Sequence, residues 1–406
     1  MTAEQRVATV YAGTSVFNMV HEVVTGMRKA QSRRLRRSPL KYVPGAVGIV
    51  DLVDQSSSIV DESISRVVSA TAEVLSPVMR LMTPVDSAPI DGSRRGAAVL
   101  AAIGAAVGDS LANDRRTQSL VPELDLRADG KSITTEEFAR RSRGSAETVV
   151  VFLHGLGCTE LNWSPEVIGG AGPATAALIR YPTGSSIADS GDELAVLVDE
   201  LLGALPECRR IILVGHSMGG LVARRAIEVN PNVADRVTDL ITLGSPHGGS
   251  PIEKGAQAAL MTLDFFAVTK PLARLGHRRS AGIKDLRHGA IRTEDWGGHD
   301  PDATLRDRTI AKPLPDHVNH HAVAASWPED ASGWQGALVG DGAVRQASAR
   351  DDDVEAVTGG SQRDVTVLES SSHLSLMSHP EVAKLIARVV KSQSEELWKF
   401  ARVEQA

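Results

Sequence analysis

From Leu120 onward the chain alternates short apolar runs with amphipathic stretches, and no other feature limits the fold as strongly. The clearest runs are Thr148 to Leu153, Ala177 to Tyr181, Ile211 to Val214, Leu240 to Leu243, Ala322 to Ser326 and Val365 to Leu368. Most are bounded by Gly, Pro, Ser or Asp, as strands are. Runs that are apolar on successive residues suit strands buried on both faces, and the stretches between them, such as Asp192 to Leu205 and Leu221 to Val229, are helical in period. The pattern predicts an α/β fold, a mostly parallel sheet flanked by helices. Asp129-Gly130, inside Arg127 to Ile133, adds a hairpin-turn signal. The segment from about Pro251 to Asp316 interrupts the alternation with charge, Gly and Pro, and reads as a lid-like insertion.

The first 118 residues have a different, helical period. Val7, Val10, Phe17, Val20, Val24 and Met27 line one face of a first helix; a second candidate runs from about Ala46 to Met82 and a third from Gly96 to Leu111. Residues 1–118 are therefore expected to form a helical N-terminal region, and 119–406 the α/β domain with its insertion at about 251–316. Between the first two helices, Arg28, Lys29, Arg33, Arg34, Arg36, Arg37 and Lys41 occur with no acid among them. Residues 1–41 then have two readings: a peripheral contact with an anionic membrane surface, or a cap or homo-oligomer helix with a solvated charged end. The second is favoured, because the apolar face is needed to pack the other N-terminal helices.

Composition removes several function classes. A net charge of −6 over 406 residues argues against a nucleic-acid partner, and six Phe, three Tyr and five Trp leave little for stacking platforms. Cys158 and Cys208 cannot build a disulfide framework or a cysteine zinc site, which fits a reducing, cytoplasmic setting. The N-terminus lacks the order of a signal peptide, and Gly96 to Gly108 is too short and too rich in Ala and Gly for a membrane span.

The chemistry concentrates in Gly215-His216-Ser217-Met218-Gly219-Gly220, a G-x-S-x-G directly after Ile211 to Val214 and before a helical pattern. A serine on so sharp a strand-to-helix turn is strained and exposed as a nucleophile, and the glycines are needed because side chains there would collide with neighbouring elements. His154-Gly155-Leu156-Gly157 follows the strand at Thr148 to Leu153 and should emerge at the same sheet edge. The backbone N–H groups of Leu156 and Met218 are the expected oxyanion hole. Base and acid are expected later in the chain. His373, after the last strand, is the candidate base; His379, before Pro380, reads instead as a helix start. Asp341, on the glycine-flanked loop Gly340-Asp341-Gly342, is the candidate acid, whereas Asp351 to Asp353 read as a solvated charge run. His317, His320, His321 and His299-Asp300-Pro301-Asp302 match no metal-ligand spacing, so neither a metal nor a cofactor is expected.

From about Leu120 to Val390 the chain resembles the α/β-hydrolases, and within them bacterial lipases and GPI-inositol-deacylase-like esterases. The resemblance is carried by His154-Gly155-Leu156-Gly157, Tyr181-Pro182-Thr183-Gly184, Gly215-His216-Ser217-Met218-Gly219, Leu243-Gly244-Ser245-Pro246-His247-Gly248-Gly249-Ser250, Gly340-Asp341-Gly342 and His373. It implies that Pro246 and His247 line the acyl site, and His154, Gly155 and His216 are expected beside them at the substrate. The expected activity is a serine hydrolase of small-molecule or lipid-like carboxylic esters acting through Ser217, His373 and Asp341. A serine acyltransferase or thioesterase, and a scaffold that keeps the fold without turnover, are the alternatives.

Overall fold

A computed structural model of the chain describes residues 2–12, 73, 89–142, 146–248, 280–296, 313–326 and 363–403. The basic run at 28–41, the second helix candidate at 46–82, most of the insertion, and Asp341 with its loop lie outside the described residues. No helix among the described residues is long and apolar enough to cross a membrane.

The chain divides into two compact units. The first takes Met1–Ile90, Asp109–Val121 and Gly255–Arg279, and the second takes Asp91–Gly108, Pro122–Lys254 and Ser280–Ala406. Residues 91–108 group with the sheet. In the first unit, helix α1 (residues 3–12) starts with a reciprocal cap. Gln5 N–H donates to Thr2 Oγ1 at 3.2 Å and Thr2 N–H to Gln5 Oε1 at 3.3 Å. The Arg116 guanidinium lies 4.9 Å over the Tyr11 ring.

The second unit holds an eight-stranded sheet in the order β2-β1-β4-β3-β5-β6-β7-β8. The strands are β1 (Asp125–Ala128), β2 (Lys131–Ile133), β3 (Thr148–Leu153), β4 (Thr175–Arg180), β5 (Arg210–His216), β6 (Val237–Leu243), β7 (Asn319–Ala325) and β8 (Arg363–Leu368). β1 and β2 form the expected hairpin, with Asp129 at φ 52° and Gly130 at φ 74°, the paired positive angles of a two-residue turn that matches strand twist. β1 runs antiparallel to β4, and β4 to β8 with β3 between them are parallel.

Helix α2 (Arg94–Ala112) comes before the sheet in the chain, and helices cover both faces of the sheet: α3 (Thr135–Arg141), α4 (Pro165–Gly169), α5 (Ile187–Ala204), α6 (Met218–Val229), α7 (Pro231–Arg236), α8 (Ala281–His288) and α9 (Pro380–Val403). The period of two along β3 and β5 separates two apolar layers. Val149, Val151, Leu153, Ile211 and Leu213 pack with Leu194, Val198, Leu201, Leu221 and Val222 of α5 and α6. Val150, Phe152, Ile212 and Val214 pack on the other face with Val167 of α4 and Val382, Ile386 and Val389 of α9. Each such side chain contributes roughly 1.5–3 kcal/mol when fully buried.

One buried ion network ties the start of α2 to this sheet. Arg180, at the C-terminal end of β4 and 2% exposed, donates from Nε and Nη2 to the two carboxylate oxygens of Glu160 at 2.6 Å each. Its Nη1 reaches Asp91 Oδ2 at 3.2 Å and the Asp91 carbonyl at 3.1 Å, while Arg127 reaches Asp91 at 3.4 Å and Asp125 at 2.7 Å. Further along α2, a Cβ on Gly108 would stand 3.1 Å from the Gly184 Cα, and Ser280 Oγ donates to the Ala105 carbonyl at 2.5 Å. The small-residue stripe Gly96 to Gly108 thus serves close backbone packing on the Gly184 loop. Of the insertion, α8 belongs to the same unit and accepts the Ile187 N–H on Asp285 Oδ2 at 2.8 Å; residues 251–279 and 297–312 lie outside the described residues.

Glu160→Gln leaves the Arg180 charge buried without its bidentate partner. We expect it to lower the unfolding free energy by about 3–5 kcal/mol in urea titration. A loss below about 1 kcal/mol would contradict the place given to this pair.

Candidate active site

Sterics at the end of β5 fix the site. A Cβ on Gly215 would run into the backbone of Gly219 and Gly220 in the first turn of α6. A Cβ on Gly219 would stand 2.5 Å from the Leu153 carbonyl oxygen and 2.7 Å from that of His154. Strand and helix can therefore close only through an abrupt turn, and Ser217 takes it at φ 53°, ψ −120°, a region costly for any residue with a Cβ. Its N–H is held by the Leu243 carbonyl at 2.8 Å, and its carbonyl accepts the Gly220 N–H at 3.2 Å. The hydroxyl does not cap α6 and forms no hydrogen bond among the described residues; the residue is 8% exposed. It sits at the positive end of a helix dipole, where negative charge is stabilised.

The loop after β3 lies against it. A Cβ on Gly155 would come 3.0 Å from Ser217 Cβ and 2.7 Å from His216 Nδ1, so only glycine lets this loop approach. Cys158 N–H donates to the Gly155 carbonyl at 3.1 Å, closing a tight turn with Gly157 at φ 69°. Gly157 N–H donates to Thr183 Oγ1 at 3.2 Å. Among the described residues neither Leu156 N–H nor Met218 N–H donates to a protein acceptor.

His154 braces the loop from within the core rather than from its surface. It is 0% exposed and stacked on Tyr181 at 4.5 Å, and its carbonyl accepts the Tyr181 hydroxyl at 2.7 Å. Its Nε2 accepts the Tyr181 N–H at 3.4 Å, which leaves Nδ1–H to donate to the Gly155 carbonyl at 3.0 Å. Burial pushes its pKa down to about 4.

The segment after β8 arrives from the opposite side. Ser371 N–H donates to the Ser326 carbonyl at 3.0 Å, and Met377 accepts the Ser164 N–H at 3.1 Å. Half-buried His373 opens the short 3₁₀ turn Leu374–Ser378. The His216 ring, 1% exposed, lies 4.8 Å from the His373 ring, and its Nε2 is 3.0 Å from the His373 carbonyl, a contact that requires Nε2–H as the donor. Desolvation, and then the neighbouring His373, push the His216 pKa down to about 3, and its Nδ1 has no hydrogen-bond partner among the described residues. His379 is occupied elsewhere: its Nδ1 accepts the Glu381 N–H at 3.2 Å in the first turn of α9.

The Gly-Ser-Pro-His segment follows β6, and Pro246 and His247 are both buried. His247 Nδ1 accepts from Arg224 Nη1 at 3.1 Å; Thr242 Oγ1 lies 3.5 Å from His247 Nε2 and 2.9 Å from His320 Nε2. Desolvation first, then Arg224, holds the His247 pKa well below the ordinary histidine value. The sequence singled out His247 but not Arg224 or Thr242, whose spacing carries no signal. His320 belongs to this cluster, His321 pairs with Asp239 at 3.1 Å, and His317 Nε2 donates to the Ala234 carbonyl at 2.9 Å. No group of three or more His, Cys, Asp or Glu residues that could hold a metal occurs among the described residues.

Of the expected site, Ser217, Gly155, Leu156, Met218, His216 and His373 thus converge at the C-terminal edge of β3, β5 and β8, while Asp341 lies outside the described residues.

The chain is similar in part to known proteins. Residues 192–295 match the model of the PGAP1-like alpha/beta domain. A GPI inositol-deacylase of Aspergillus fumigatus is 42% identical over 48 residues, 12% of this chain and 4% of that protein. One from Debaryomyces hansenii is 30% identical over 73 residues, 17% of this chain and 7% of that protein. The chain thus spans a small part of the relatives it matches. Among solved structures, the mature lipase of Bacillus licheniformis aligns at TM-score 0.40 and 20% identity, covering 60% of this chain and 92% of that one. Lipase B of Aspergillus fumigatus aligns at TM-score 0.38 and 11% identity, covering 69% and 58%.

Two outcomes follow from the geometry. Ser217→Gly removes the strain of a side chain at positive φ and should be more stable than Ser217→Ala by about 1 kcal/mol in urea; equal midpoints would contradict a strained turn. His154 binds its proton more weakly folded, near pH 4, than unfolded, near 6.5, so unfolding takes up a proton between those values and stability falls as the pH drops through them. The midpoint of the parent should therefore fall more steeply than that of His154→Gln between about pH 7 and about pH 5; parallel curves would contradict it.

The strand order and the turn at Ser217 give this chain the α/β-hydrolase fold, and its residues 192–295 are similar to the PGAP1-like alpha/beta domain.

Proposed function

We propose that the protein is a serine hydrolase of carboxylic esters. The observation that carries this reading is the backbone of Ser217, held at φ 53° on a strand-to-helix turn with an uncommitted hydroxyl, against the Gly155 loop and beside the His373 segment. Packing demands a positive φ at this position, which a glycine would meet without strain, so a serine kept there supports a chemical role for its hydroxyl.

In this reading Ser217 Oγ attacks the ester carbonyl while the His373 imidazole takes its proton. Asp341 orients that imidazole and stabilises its charged form. The N–H groups of Leu156 and Met218 receive the oxyanion, aided by the α6 dipole. His373 then protonates the leaving alcohol, and a water that it deprotonates releases the acid from the acyl-enzyme. The resemblance to proteins named GPI inositol-deacylases supports a lipid-like substrate in which an acyl group is esterified to an alcohol.

Ser217→Ala should lower turnover of a p-nitrophenyl ester by about four or more orders of magnitude. A near-normal rate would remove the assignment. A parent inactive in water but active on addition of an acceptor alcohol or a carrier thioester would replace hydrolysis with acyl transfer or thioester cleavage.

A further inference from the structure

The serine-hydrolase reading assigns roles to the nucleophile, the base, the acid and the oxyanion donors, and none to the buried imidazole between them. His216 precedes the nucleophile, and its ring is wedged between the two loops that must meet at the reacting carbon. One edge faces the base segment, where Nε2–H donates to the His373 carbonyl at 3.0 Å. The other edge faces the oxyanion loop, where a Cβ on Gly155 would stand 2.7 Å from Nδ1. His216 is the last residue of β5, which is buried along its whole length.

We propose that His216 is a positioning residue, a spacer that sets the distance between the His373 backbone and the Gly155 loop through its Nε2–H bond and the width of its ring. The proposal rests on the serine-hydrolase reading and deepens it. A substrate-lining histidine would turn a polar atom to the ligand, whereas this ring spends its donor on the His373 carbonyl and turns Nδ1 to the Gly155 backbone. The role requires a neutral ring protonated on Nε2. Burial secures this, since the pKa of about 3 keeps the ring uncharged throughout the range in which an ester hydrolase works. A doubly protonated ring would add a buried charge beside the imidazolium that forms on His373 during catalysis, and the two would repel. A base displaced by about 1 Å costs on the order of a hundredfold in rate.

The test compares His216→Gln, which retains an N–H donor near the Nε2 position, with His216→Met, which keeps similar length without a donor. On a soluble p-nitrophenyl ester, His216→Met should lower kcat about a hundredfold with KM changed less than about threefold, and His216→Gln should recover kcat to within about tenfold of the parent. Equal losses in both variants, a loss confined to KM, or a parental kcat in His216→Met would each overturn the role. Should either variant fail to fold, ¹⁵N-histidine NMR of the parent answers the question. A neutral ring protonated on Nε2 near pH 6 is expected, and an Nδ1–H tautomer or a charged ring overturns the proposal. A Ser217→Ala enzyme as fast as the parent would instead sink the serine-hydrolase reading, and the two failures are thereby distinct.

Discussion

The constraint on which this structure turns is the absence of room around Ser217. Gly215 faces the backbone of α6 and Gly219 faces the carbonyl oxygens at the end of β3, so strand β5 and helix α6 can be joined only through a residue at positive φ. That residue is a serine rather than a glycine, and the strain it stores is small beside the burial that holds β5 and α6 in place. Phe152, Val214 and Ile212 on one face, with Leu213, Leu221 and Val222 on the other, fix both elements before the turn is made. The proposed nucleophile stands where local preference loses to packing.

Around that turn the molecule uses buried imidazoles as structural parts. His154 is neutral and clamped by Tyr181, His216 is neutral and donates to a main-chain carbonyl, and His247 is neutral and accepts from Arg224. Each lies near a segment that must arrive at the sheet edge from a different strand. A neutral imidazole suits this task because it offers one donor and one acceptor on opposite sides of a rigid ring. The cost is sensitivity to acid, since protonation converts each of them into a buried charge.

Much of this was legible in the sequence, and the reasons are local. Strands such as Thr148 to Leu153 announce themselves because both their faces are buried. The Asp129-Gly130 hairpin was legible from turn chemistry, and Ser217 from glycines at fixed offsets. The ends of strands were read less well. β5 begins at Arg210, β7 at Asn319 and β8 at Arg363, polar residues whose partners come from distant segments, such as the Val390 carbonyl for Arg210. The Glu160–Arg180–Asp91 network and the approach of Gly108 to Gly184 were likewise invisible, because each joins residues far apart in the chain and neither has a periodic signature. His216 was expected at the substrate, and its hydrogen bond to a residue 157 positions away could be seen only in three dimensions.

Activation of Ser217 by His373 is the center of the account, and labelling with a fluorophosphonate probe followed by peptide mapping tests it most directly. A single adduct on Ser217, formed rapidly by the parent and slowed by orders of magnitude in His373→Ala, is the predicted result. An unlabelled parent, an adduct on a different serine, or labelling indifferent to the loss of His373 would contradict it.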